Sequence, residues 1–232
     1  GVPSPPMAPD TADAPPADTG AALDRPPVPR SRSTTAFLVV VTLVPFAIAA
    51  IAAFGRAWVP SSDEAIFLSG AIDGVDRLPT VGVYSRYGWN HPGPLLTYWF
   101  LGPMVLTNGL PVVALLTALA LKAGSAVAVV VFARRTAGVA AGVLAVAMVM
   151  LLVWAHPGTA YAIWNPTIVL LPFMAFLVAA WAATAGDDWA LLVVGLTGSV
   201  AVQAHLGYAP VVGVVGALAV GAVARRWWIE RA

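Results

Sequence analysis

Four short stretches carry most of the side chains suited to proton transfer or ligand binding. The first is PSSDEAIFLSGAID, residues 60–73, with the adjacent acids Asp63 and Glu64. Pro60 and Ser61 open a predicted helix, and Ser61 to Glu64 fits a capping box in which the glutamate turns back to the helix start. Neighbouring residues on a helix point apart, so a cap made by Glu64 leaves Asp63 free to face a cavity. A carboxylate there can act as a general base or hold a divalent cation. The second stretch is TVGVYSRYGWNHPGPLLTYW, residues 80–99, which packs Arg86, Tyr87, Asn90 and His91 ahead of a Pro-Gly-Pro turn. A guanidinium forks onto phosphate oxygens, and a histidine beside it can give or take a proton. Tyr98 and Trp99 read as interfacial anchors.

The third stretch is HPGTAYAIWNP, residues 156–166, with His156 and Asn165. The fourth is QAHLGY, residues 203–208, with Gln203 and His205. Asn165-Pro166 suits a helix start. Gln203 and His205 serve equally well as interhelical hydrogen-bonding groups or as ligand contacts. His91, His156 and His205 are the three histidines of the chain, and their spacing matches no zinc motif. Lys122 falls near the middle of an apolar stretch, too deep to snorkel, and should face the protein interior.

Other chemistries are excluded or unsupported. Without cysteine there are no disulfides, thiolate sites or cysteine nucleophiles. No Gly-rich phosphate loop and no Gly-x-Ser-x-Gly elbow is present. A net charge of +1 with no run of Lys or Arg gives no case for nucleic acid.

The elements that must position these residues are membrane helices. Hydrophobic residues make up 59% of the 232 and charged residues 10%, and the mean hydropathy is +0.84. Soluble chains are roughly 45–50% apolar and about 25% charged; this surplus asks for a bilayer. The expected fold is all-α: a polytopic transmembrane bundle of about six spans. They are placed at Thr35–Phe54, Pro111–Ala133, Ala137–Ala155, Thr167–Ala185, Trp189–Val202 and Ala209–Ala224, the fifth being short. Residues 1–34, rich in Pro, Ala and Asp, read as a disordered cytoplasmic tail, and 35–232 as the transmembrane domain. The outer loop 55–110 should hold interfacial helices. Within it 94–108 is short for a span and interrupted at Gly102-Pro103, as a re-entrant or surface-lying segment would be.

Arg25, Arg30 and Arg32, then Arg134 and Arg135, then Arg225, Arg226 and Arg231 share one side of a six-span layout. The positive-inside rule makes that side cytoplasmic. All four stretches then lie outside. Arg56, Arg77 and Arg86 in the long loop run against the rule.

This layout resembles the GT-C superfamily of membrane glycosyltransferases, which use polyprenyl-phosphate sugars as donors. The likeness rests on a first helix, a long outer loop opening with the acidic pair Asp63-Glu64, an interfacial segment, and further spans. The run YSRYGWNHPGPL, residues 84–95, is similar to the matching loop of actinobacterial members. The resemblance implies a plasma-membrane enzyme of the cell envelope with Asp63 as catalytic base or metal ligand and Glu64 in reserve. It implies substrate contacts from Arg86, Tyr87, Asn90, His91, His156, Asn165, Gln203 and His205. Its implied partners are a polyprenyl-phosphate sugar and a glycan or protein acceptor; its candidate cofactor is a divalent cation, Mg or Mn. Family members carry more spans, so the chain is read as an N-terminal fragment. Two rival readings are a transporter or lipid-linked-sugar flippase, with Lys122 as its coupling charge, and a non-catalytic membrane assembly subunit.

Overall fold

The computed structural model describes residue 1 and residues 32–74, 76–85, 87–155 and 160–231. The tail 1–34 is expected on sequence grounds and, up to residue 31, lies outside the described residues apart from Gly1. The fold is mostly helical. In chain order come α1 (Arg32–Ala53), α2 (Ser62–Asp73), a hairpin of β1 (Tyr84–Ser85) and β2 (Trp89–Asn90), α3 (Leu95–Leu106) and α4 (Pro111–Ala155). After these follow α5 (Asn165–Ile168), α6 (Leu170–Thr184), α7 (Ala190–Ala204), a 3₁₀ turn at Leu206–Tyr208, and α8 (Ala209–Arg231).

Four helices are long and apolar enough to cross a membrane: Arg32–Ala53, Pro111–Ala155, Asn165–Thr184, in which α5 and α6 run together, and Leu206–Arg231. Their outward faces keep Val40, Ile51, Leu151 and Leu218 exposed, a belt that water would penalise and lipid accepts. The helices α3 and α7 are apolar but shorter. At 15 residues, α7 reaches about 23 Å, less than the roughly 30 Å hydrocarbon layer.

The 45 residues of α4 are not one rod. Ala137 and Gly138 leave helical geometry, and Gly138 takes a φ of 84° that suits glycine. A Cβ placed on Gly142 would lie 3.0 Å from Cβ of Arg134. Eight residues along a straight helix would separate them by about 12 Å, so the chain folds back here. The break falls slightly beyond the expected boundary at 134–136. Arg134 and Arg135 therefore end the first limb, where cations complement the helix dipole.

Three apolar clusters hold the bundle. One joins α1, both limbs of α4 and α6 through Phe46, Leu119, Val149 and Leu171. A second seats α2 and α3 on α4 and on the start of α5 through Phe67, Phe100, Leu115 and Ile168. A third packs α6, α7 and α8 around Phe176. The rings of Phe67 and Phe100 meet edge to face at 5.1 Å.

Several expectations are corrected in detail. Ser61 is the N-cap of α2, but no side chain closes a capping box, and Ser62 adopts a φ of 50°. Pro103 lies inside α3 instead of interrupting it. Phe100 packing and the indole of Trp99, which donates to the Thr117 carbonyl at 3.1 Å, hold α3 from both sides, and packing outweighs local propensity. The loop contains a two-stranded hairpin that an all-α reading omits. It pairs Tyr84 with Asn90 and Ser85 with Trp89, with Gly88 at φ 88° in its turn. The last helix runs on to Arg231 instead of ending at Ala224.

Candidate functional site

A cavity of about 510 Å³ opens at one end of the bundle, and its lining includes Asp63, Tyr87, His91, Asn165 and His205. Those five come from α2, the hairpin, the segment after it, the start of α5, and the residue after α7. Four stretches distant in sequence are thus brought to one place.

Asp63 stands in the first turn of α2 and accepts a hydrogen bond from Nε1 of Trp164 at 3.1 Å, 101 residues away. Among the described residues no ion pair engages it. Glu64, next to it, does not line the cavity. It is half-buried, and its charge acts on the buried ammonium of Lys122. The acids of the pair therefore point apart, as helix geometry requires: Asp63 lines the cavity, Glu64 does not, and no side-chain hydrogen bond closes the cap.

His91 is held by the backbone ladder that closes the hairpin. Its N–H donates to Val83 and its carbonyl accepts from Gly82, at 3.0 and 2.9 Å. The approach is close, since a Cβ on Gly82 would lie 2.9 Å from Cβ of His91. Trp89 meets the imidazole edge to face at 5.0 Å. The side chain is 8% exposed, and its Nδ1 has no hydrogen-bond partner among the described residues. Burial, reinforced by the charge of His205, holds His91 below the usual imidazole range. The two rings lie 5.8 Å apart. Nδ1 of His205 accepts from the Gly207 N–H at 3.2 Å, so the neutral ring carries its proton on Nε2 and can donate it.

The other expected site residues divide. Asn90 is exposed in β2 and away from the cavity lining. Gln203 is structural: its Oε1 accepts from the Leu95 N–H at 3.0 Å and its Nε2 donates to Ser199 at 2.7 Å. It thereby ties the start of α3 to α7. Arg86 and His156 lie outside the described residues. Lys122 is fully buried, as its position required, and donates to the carbonyls of Ala160 and Ala162 at 3.3 and 2.7 Å. Trp164 is the site residue that sequence reading passed over; no spacing links it to Asp63, and its place before Asn-Pro is its sole signal.

Among the described residues no group of three His, Cys, Asp or Glu side chains converges on a metal position. Among the described residues Asp63 is the single carboxylate lining the cavity, so a cation such as Mg held there would complete its oxygen shell with substrate phosphate and water. A second, apolar cleft of about 490 Å³ runs along α3, lined by Leu95, Trp99, Leu121, Val193 and Val200 among others.

At the other end of the bundle stand the arginines. Arg135 pairs with Asp187 at 2.7 Å and Arg226 with Asp188 at 2.7 Å. The apolar helix Asn165–Thr184 begins at the cavity and ends beside these pairs, about 30 Å away at 1.5 Å per residue.

No protein-family model, no curated protein and no solved structure matches the chain.

Proposed function

We propose that this protein is a membrane glycosyltransferase of GT-C type that moves a sugar from a polyprenyl phosphate to an extracytoplasmic glycan or protein acceptor. Six passes put the arginine end in the cytoplasm with the N-terminus, and the cavity outside the plasma membrane. The observation that carries this reading is the meeting of Asp63, Tyr87, His91, Asn165 and His205 around one cavity at the far end from the arginines.

Asp63 removes the proton of an acceptor hydroxyl as that oxygen attacks the anomeric carbon. The new glycosidic bond forms as the bond from that carbon to the phosphate oxygen breaks. The lipid phosphate leaves with the electron pair, and its charge is met by N–H donors from His205 and His91, with Arg86 completing the expected set. The apolar cleft along α3 gives the lipid tail a path beside the cavity.

The test is transfer in proteoliposomes supplied with radiolabelled polyprenyl-phosphate sugar. Wild-type protein glycosylates an acceptor and Asp63→Asn does not, while both insert equally. Transfer retained by Asp63→Asn removes the base from the mechanism. In cells, deletion leaves the lipid-linked sugar unconsumed on the outer leaflet; stranding on the inner leaflet would instead mark a flippase.

A further inference from the structure

We propose that Lys122 is a positioning residue for the cavity: its buried ammonium fixes the segment 160–164, and that segment holds Asp63 through Trp164. The activity part of this inference rests on the transferase reading; the structural part does not.

The chain of contacts is continuous. Lys122 is fully buried on the first limb of α4, and its Nζ donates to the carbonyls of Ala160, in a helical turn, and of Ala162, in the non-helical stretch that follows. Ile163, next along, is fully buried among residues of α2, α3 and α4. Trp164 follows and its indole reaches Asp63. A buried ammonium is tolerated when carbonyls and a counter-charge surround it. The carbonyls come from Ala160 and Ala162. The segment they belong to then engages Asp63, in the first turn of α2, through the indole of Trp164. That arrangement sets the rotation of the turn, and with it the direction in which the Asp63 carboxylate faces the cavity. A lysine that served as a coupling charge would need a wet path; this one is enclosed by backbone.

Substitutions at three positions separate the roles. The full chain is labelled with 5-fluorotryptophan and placed in nanodiscs, and the Trp164 fluorine resonance is assigned by its loss in Trp164→Phe. Asp63→Ala moves this resonance by removing the acceptor of the indole N–H. Lys122→Met moves it in the same direction, and Lys122→Arg, which keeps charge and donors, holds it near its wild-type position. In transfer assays Lys122→Met lowers kcat by about 10²-fold, the loss expected when a catalytic group is misplaced by about 1 Å, and leaves the acceptor KM unchanged. Lys122→Arg restores most of kcat. If Lys122→Met does not insert, Lys122→Gln replaces it, retaining a donor without charge. A Trp164 resonance unmoved in the inserted lysine variant, or unmoved in Asp63→Ala, overturns the inference. Resonance shifts as expected in a wild-type protein that transfers no sugar uphold the inference and sink the transferase reading.

Discussion

The two ends of the bundle treat their charges in opposite ways. At the arginine end, Asp187 and Asp188 are each paired with a guanidinium at 2.7 Å. Arg226 also donates to the carbonyls of Ala183 and Thr184, and the indole of Trp227 reaches Asp188 at 2.6 Å. These groups spend their hydrogen bonds on closing helix ends. At the cavity end, among the described residues, Asp63 meets a single indole N–H and the buried Nδ1 of His91 meets nothing. A carboxylate already satisfied by arginine has little left for a substrate, whereas one held by a neutral donor keeps its lone pairs. The arginine end has its charges paired, and the cavity end keeps hydrogen-bonding capacity unspent.

That contrast can be broken most severely at Asp63. Asp63→Asn should cut transfer by about 10²–10⁴-fold, the usual worth of a general base, while Asp187→Asn leaves the rate near wild type in the same vesicle assay. Equal losses at both ends would erase the distinction. Next is the fold-back that separates the two limbs of α4. Gly142 lies close to Leu38 and Arg134, so Gly142→Val should cost about 1–3 kcal/mol by overpacking, read as a lower melting temperature in detergent. Gln203→Ala should cost about 1 kcal/mol by leaving the Leu95 N–H and Ser199 without their partner, with a matching rise in hydrogen exchange at the start of α3.

Acidity sharpens the comparison further. His91 titrates below its ordinary value because burial, then His205, disfavours its charge. Between the folded and unfolded values the unfolded chain binds more protons, so the contribution is complete above about pH 6.5 and is lost as pH falls toward the folded value. The melting temperature should therefore drop from pH 7.5 to 5.5, and His91→Gln should flatten that drop. Asp188 is shifted in the same direction but from a lower starting point: hydrogen bonds from Arg226 and Trp227 hold it below the usual carboxylate range. Its contacts should persist through the same pH interval, seen as an unchanged carboxylate carbon shift. The smallest effect belongs to Arg135→Ala, which breaks a partly exposed ion pair and should cost about 1 kcal/mol or less.

Much of the architecture was legible because apolar runs of about 20 residues have few destinations other than lipid. The end of α1 near residue 54, the helix opening at Pro111 and the start of α3 after Pro94 were read within a residue or two. Capping was misjudged at Ser61 to Glu64, because the turn enters the helix with Ser62 at a φ of 50° and no side chain closes the box. The continuity of α3 through Pro103 was missed for a similar reason: the packing that sustains it comes from α2 and α4. Arg56 contradicted the charge rule as a bare letter, but its guanidinium stacks 4.2 Å above the ring of Tyr161, which gives this arginine a structural place.

The sequence by itself determined that helices would fill the molecule and that Asp63, His91 and His205 would sit at helix ends and loops away from Arg134, Arg135 and Arg226. Hydrophobic length and local charge suffice for this, since both act along the chain. Only the tertiary structure decided that Asp63 would answer to Trp164, that Lys122 would reach the carbonyls of Ala160 and Ala162, and that Gln203 would bind the Leu95 N–H instead of the cavity. Each of those outcomes depends on which partner lies within about 3 Å after the helices pack, and hydrogen bonds fade over distances that a sequence pattern does not register.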